Sequence, residues 1–337
     1  MSEKFDYKGF SKKKLDFLCS KKNIYRGHIK PMFGLYESYS MGLNYRMFSN
    51  YPKWLPFYIY SDHGVGNDHV DEGCVHKDTS VIFAFSDRRV ALFKKMYNKP
   101  CYKVTNPAIN YRRKYVKQEE HAKGTIVFPC HGTYDSFFDF DIESYINCLK
   151  SLPKKMHPVC VCLYMADVEK GMHMKFIKSG IPVYTAGHIH DTRFIQRFYT
   201  ILKNFKYSMS NTMGSYAYYS CEMGVPFSLY GDEPENINIS NPYYPKGKIL
   251  VNSFHYVKAK ELFSGLHSSI TDEQSHHVSE CLGLDASLTG EEMRKILYKS
   301  IIQKGCAPKF IIKFIIRYMV HLKNSSLNLL REVTLWS

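Results

Sequence analysis

Short apolar runs alternate with amphipathic stretches along most of the chain, most regularly between residues 125 and 231. TIVFP (125–129), PVCVCLY (158–164), PVYTAG (182–187), YSMS (207–210) and FSLY (227–230) have the length and composition of buried strands. The intervening stretches have helical spacing. DIESYINCLKSLP carries an acidic first turn and a proline stop, VEKGMHMKFIKSG ends at Gly180, and DTRFIQRFYTILKNF leads into the fourth strand. YAYYSCEMG, closed by Gly-Val-Pro, joins the last two strands. Strand and helix alternating in this way predict a parallel sheet made of right-handed crossovers.

The first half is less regular. Residues 1–22 are basic and mixed, and residues 23–56 are rich in aromatics without a clear period, so no element is assigned there. From Phe57 the pattern sharpens into FYIYSDHGVG, a strand running into a glycine-containing loop. VIFAFS (81–86) is then a strand, DRRVALFKKMYN a helix, and CYKVTNP a strand stopped by Pro107. INYRRKYVKQEEHAKG (109–124) reads as a polar connection between two halves. After Gly231 come a polar loop (232–247), ILVNSF and a helical stretch to about 267. TDEQSHHVSECLGL and TGEEMRKILYKSIIQKG follow, the second opened by Thr289 as N-cap. The expected class is α/β, with one domain over 1–120, a second over 121–305 and a tail helix over 306–337.

In that tail, Lys309, Lys313, Arg317 and His321 recur every four residues beside Phe310, Ile311, Ile312, Phe314, Ile315, Ile316, Met319 and Val320. Such a basic amphipathic helix has two natural places. It lies in the headgroup region of an anionic membrane, each Lys or Arg contributing about 1 kcal/mol, or it packs across the N-terminal domain.

Composition narrows the possibilities. With 45% hydrophobic and 23% charged residues, 337 residues suffice for two α/β domains. The net charge of +15 attracts anions: nucleic acid, acidic phospholipid or nucleotide-linked substrates. Lys and Arg are spread along the chain without a nucleic-acid motif, so nucleic acid is not the expected partner. The ten cysteines include no C-x-x-C pair, and Cys130, Cys160 and Cys162 lie in apolar runs, which predicts reduced, buried thiols. The opening MSEKFDYKGFSKKKLDFL lacks a signal-peptide core, and no apolar run has bilayer length. The expected location is cytoplasmic, peripheral on the inner face of the cytoplasmic membrane if the tail binds lipid.

Polar residues collect at the carboxyl ends of the predicted strands: Cys130-His131-Gly132-Thr133, Gly187-His188-Ile189-His190-Asp191 and Ser210-Asn211-Thr212. In a parallel sheet these ends share one edge, where ligands bind. The turn from Ser210 to Ser215 opens a helix, whose unpaired amides and dipole attract an anion, and Gly214 and Ser215 allow it to come close. A nucleotide phosphate is the expected ligand. His188 and His190 with Asp191 have no third ligand at a recognised spacing, so no metal is expected.

IVFPCHGT, HPVCVCLY, YTAGHIHD and above all SNTMGSYAYYSCEMGVPFSLYG resemble the nucleotide-binding domain of GT-B glycosyltransferases, in particular those of bacterial surface-polysaccharide clusters. The resemblance covers residues 125–231 and is diffuse elsewhere. It implies two Rossmann-like domains facing a cleft, parallel sheets, a nucleotide-sugar co-substrate on the C-terminal domain and no cofactor. The acceptor it implies is lipopolysaccharide, capsule or another surface or lipid-linked glycan on the N-terminal domain. Ser210, Asn211, Thr212, Gly214 and Ser215 would then meet donor phosphate or sugar, with His131 and His188 approaching from neighbouring loops. Glu222 would bind ribose hydroxyls, or else sit as an exposed helix residue. Leaving-group charge would fall to helix N-termini and to Arg193 or Arg197. Asp62-His63-Gly64 is similar to the acidic-acidic-glycine motif of GT-B sialyltransferases, with His in place of the second acid. This makes Asp62 or His63 the base for the acceptor hydroxyl, and leaves a CMP-linked donor as one option. Asp62 as a turn-shaping residue is the alternative. His157-Pro158 is similar to the His-Pro motif of those enzymes but precedes a strand, so it receives no role. The other functions open to this chain are a nucleotide-sugar epimerase, a polyol-phosphate transferase and, less well supported, a basic nucleic-acid-binding protein.

Overall fold

The computed structural model describes residues 5–26, 35–53, 55–62, 64–66, 75, 79–132, 138–236, 247–248, 254–303, 312, 315–316 and 319–320. Helix α1 (Lys12–Cys19) is capped by Ser11, whose hydroxyl accepts from the amide of Lys14, and α2 (Met41–Ser49) ends at the left-handed Asn50. Strands β1 (Ile59–Ser61), β2 (Val81–Ala84) and β3 (Cys101–Lys103) form a parallel sheet in that order. Helix α3 (Asp87–Met96), capped by Ser86, crosses from β2 to β3.

Helix α4 (Pro107–Tyr115) falls where the sequence pattern gave a strand stop and a polar connection. Asn106 is its N-cap, accepting from the amide of Ala108, and Pro107 occupies the first turn. Proline ends a strand and begins a helix for the same reason, its fixed φ and missing N–H, and only the packing of Ala108 and Ile109 selects the helix.

The second sheet contains β4 (Thr125–Val127), β6 (Val159–Cys162), β7 (Val183–Tyr184), β8 (Tyr207–Ser210) and β9 (Phe227–Leu229), all parallel, in the order β7-β6-β4-β8-β9. Short strands β5 (Phe138–Asp139), β10 (Glu235–Asn236) and β11 (Gly247–Lys248) pair antiparallel beside it. The crossovers are α5 (Ile142–Lys150), α6 (Met165–Glu169) with α7 (His173–Lys178), α8 (Phe194–Leu202) and α9 (Ser215–Glu222). The stretch read as one helix up to Gly180 is broken into α6 and α7 around Gly171, whose φ is +81°. Helices α10 (Phe254–Phe263), α11 (Asp272–Leu282) and α12 (Gly290–Ile302) follow. Thr289 caps α12 in a capping box with Glu292.

Every residue of β4, β6 and β8 is buried, because helices cover both faces of the sheet. Alternate residues serve separate cores. Ile126 and Cys160 pack with α8, α9 and α11. Val127, Val161 and Met209 pack with Leu15 of α1 and with α5.

Packing links the two halves of the chain in both directions. Residues 5–26 belong with the second sheet: the amide of Phe10 donates to Val183 O (2.7 Å), and Phe5 stacks on Tyr184. In the other direction, α12 packs on α2 and buries Met293 and Leu297 with Phe57, Val81 and Phe83 of the first sheet. The amide of Tyr58 donates to Ser300 Oγ (3.0 Å). Burial of apolar surface, and not adjacency in sequence, sets both assignments. Among the described residues no helix is long and apolar enough to cross a membrane.

The packing of α12 is testable. Leu297 is fully buried, so Leu297→Ala should cost about 3 kcal/mol and lower the urea midpoint. Ile302, 73% exposed at the end of the same helix, should tolerate alanine within about 0.5 kcal/mol.

Candidate functional site

The order of the second sheet reverses between β4 and β8, and at their carboxyl ends the structure contains a cleft of about 340 Å³. One wall is Phe128, Pro129 and His131 after β4 together with Leu163 and Tyr164 after β6. Tyr39, Gly64 and Val65 from the first half of the chain also line the cleft. Gly214, Ser215 and Tyr216, the start of α9, open into the same space. Gly214 has an extended backbone and offers no side-chain cap to the first turn of α9, whose Ala217 amide turns back to Gly214 O (3.0 Å).

The turn before α9 is held by its own polar groups. Thr212 N donates to Ser210 Oγ (3.1 Å), Ser210 Oγ meets Tyr216 Oη (2.9 Å), and Tyr216 Oη donates to Thr212 O (3.0 Å). Asn211 Oδ1 accepts from Cys130 N (2.9 Å) and Asn211 Nδ2 donates to Asp232 O (3.2 Å). Ser210, Asn211 and Thr212 are buried and fasten the rims of β4 and β8, while Gly214 and Ser215 face the cleft. Val65 N donates to Ser215 Oγ (3.2 Å), which joins the two halves at the mouth of the helix. Gly66 next to it has φ +70°, and the hydroxyl of Tyr218 fills the place a Cβ would take.

His131 is stacked on Tyr164 with ring centroids 4.3 Å apart. Burial lowers its pKa, partly offset by the bond from Nδ1 to Gly132 O (3.3 Å). The neutral ring therefore carries its proton on Nδ1 and presents Nε2 as an acceptor. His188 is pushed down to about 4 by burial. Its amide donates to Leu18 O (2.9 Å) and its Nδ1 accepts from His190 N (3.1 Å), so it is held against the N-terminal segment. Asp191 binds Arg193 through both oxygens and takes Arg197 Nη2 (3.3 Å) and Tyr25 N (3.0 Å) on Oδ2. Burial opposes ionisation of that carboxyl, but the bonds from Arg193 and the charge of Arg197 hold it below the usual range.

Glu222 stands at the carboxyl end of α9, about 10 Å along the axis from its opening. Its carboxylate is buried between Arg112 (Nε 2.7 Å) and Arg113 (Nε 2.9 Å). Asp62 follows β1 and is bound through both oxygens by Arg89, at 3.0 Å from Nε and 2.6 Å from Nη2. His63 lies outside the described residues, as do Thr133 and the basic tail residues Lys309, Lys313 and Arg317.

Asp167 was not singled out by the sequence pattern. It lies in α6, directly past the rim of β6, with Oδ2 buried and unpartnered, and burial raises its pKa to about 7. The available signal was an acid three residues beyond an apolar strand.

No family model matches the chain, and no curated protein matches it. Among solved structures it is similar to the crystal structure of TarM, with a TM-score of 0.28 and 10% identity. The match covers 77% of this chain and 50% of that one, so the chain spans half the length of TarM. Similarity at that level decides nothing about this protein's chemistry. The chain itself shows an α/β architecture of two parallel sheets, three and five strands wide, with a cleft at the carboxyl rim of the larger.

The raised pKa of Asp167 has a definite consequence for stability. A carboxyl whose folded pKa exceeds the unfolded value stabilises fully below about pH 4 and loses that contribution as pH rises through about 7. Asp167→Asn should therefore gain stability over the parent between about pH 5 and pH 8, read as a widening difference in Tm.

Proposed function

We propose that the protein is a glycosyltransferase that moves a sugar from a nucleotide-sugar donor to a surface glycan or lipid-linked acceptor. The observation that carries this is the uncapped start of α9 opening into a cleft at the reversal point of a parallel sheet, faced by residues from the other half. In this reading the donor phosphates lie against the amides of Gly214, Ser215 and Tyr216, where the helix dipole meets the charge of the departing nucleotide. His131 offers Nε2 to a sugar hydroxyl, and Ser210, Asn211 and Thr212 keep the turn in shape beneath the ligand.

Transfer breaks the bond between the anomeric carbon and the phosphate oxygen, which keeps the electron pair, and forms a bond to the acceptor oxygen, whose proton passes to a base. Asp62 and His63 are the residues assigned to that step. Arg89 occupies both oxygens of the Asp62 carboxylate. The role therefore goes to the imidazole of His63, with Asp62 as its anchored neighbour.

A lipid-linked acceptor agrees with the end of the chain. Ile312, Ile315, Ile316, Met319 and Val320 are helical, follow i, i+3, i+4 spacing, and are 46% to 63% exposed. With Lys309, Lys313 and Arg317 in the same stretch of sequence, this segment has the composition of an anionic-membrane surface helix.

Two measurements test the reading. Ser215→Asp favours the helix by placing an acid in its first turn but repels phosphate. It should keep the parent Tm without ligand and weaken donor binding about tenfold or more, read by thermal shift against UDP-, GDP-, CMP- and CDP-sugars. Equal stabilisation of parent and variant by every donor would remove the site. The second is sedimentation with vesicles: the parent should pellet with phosphatidylglycerol vesicles and be released by salt, and Lys309→Glu/Lys313→Glu should stay in solution.

A further inference from the structure

Behind α9, away from the cleft, three side chains with metal-binding atoms converge. His277 and Cys281 are four residues apart on α11, which places them on one face of the helix. His255, in the first turn of α10, meets them from the neighbouring helix. All three are buried, and their ligand atoms lie within 4.8 Å of one another. Cys281 Sγ is 3.7 Å from His255 Nδ1 and 3.7 Å from His277 Nε2. The sulfur–nitrogen edge of a tetrahedral zinc site, from ordinary bond lengths, is about 3.5 Å. The two imidazole rings lie 5.7 Å apart between centroids.

We propose that His255, His277 and Cys281 bind a zinc ion that fastens α10 to α11 behind α9. One thiolate and two imidazoles form a borderline-soft donor set suited to that ion, and a solvent molecule or small anion would complete the tetrahedron. The surroundings favour retention: Cys281 is part of the core shared with Ala217 and Tyr218 of α9, and the Tyr218 ring lies 5.9 Å from that of His277. The site stands at a different place from the proposed donor site and does not depend on the transferase reading.

Purified without chelator, the full chain should carry one zinc per molecule by elemental analysis. After stripping, titration with Co²⁺ should give intense visible d–d bands and a near-ultraviolet thiolate-to-cobalt band, saturating at one equivalent. Cys281→Ser should lose the charge-transfer band and the bound zinc. His277→Gln should lose zinc while keeping the far-ultraviolet dichroism of the parent. Zinc should raise the Tm of the stripped parent and leave that of the Cys281→Ser/His277→Gln variant unchanged. The parent titration decides even if a variant fails to fold. Absence of a cobalt–thiolate band at saturating metal would overturn the proposal. Copper in place of zinc on these ligands, or full zinc content in Cys281→Ser, would do the same.

Discussion

Five parallel strands buried on both faces leave only their ends open to polar chemistry. The peptide groups of β4, β6 and β8 are consumed in the ladder, and their side chains alternate between two helical layers. The loops after β4 and β6 and the turn after β8 come together at the carboxyl rim, where the cleft lies. The reversal of strand order between β4 and β8 keeps the adjoining crossovers apart and makes room for the cleft.

Among the described residues, four acids with buried side chains are matched by arginine. Asp62 has Arg89, Asp191 has Arg193 and Arg197, Glu222 has Arg112 and Arg113, and Glu37 has Arg46 at 2.8 Å. The Asp62–Arg89 and Glu222–Arg112 pairs join segments brought together by folding. Arg112 of α4 reaches the far end of α9, and Asp191 receives the amide of Tyr25 from the N-terminal segment. Such pairs contribute little net stability beside well-packed apolar residues, but losing one partner strands a buried charge, so they act as locks on position. Asp167 departs from this pattern: its carboxyl is buried without a matching arginine, and that is why its proton is held to near neutral pH.

Helix α9 is where these features meet. Its opening is shaped by Ser210, Thr212 and Tyr216, its far end is held by two arginines, and its back lies against α11 near His277 and Cys281. A helix of eight residues has little stability of its own. Contacts on three sides can hold its first turn in place, as preorganised amides require if they are to meet charge without reorganising.

Much of the scaffold could be read before folding. TIVFP, PVCVCLY and YSMS had to be strands of a covered sheet, because short apolar runs between helical stretches have no other economical burial. Thr289 and Gly214 marked helix starts for reasons local to a few residues. Other features were ambiguous for equally local reasons. Pro107 ends a strand or begins a helix, and α4 exists because Ala108 and Ile109 find a core. Ser210 and Asn211 look like ligand contacts or turn-formers until Tyr216 and Cys130 are seen as their partners. The spacing of His277 and Cys281 was visible along α11, but His255 lies on another helix and no periodicity links it to them. Neighbours along the chain dictate periodicity, capping and turn preference. The partner each polar group finds depends on residues far away in sequence, and only the packing of both sheets brings those within reach.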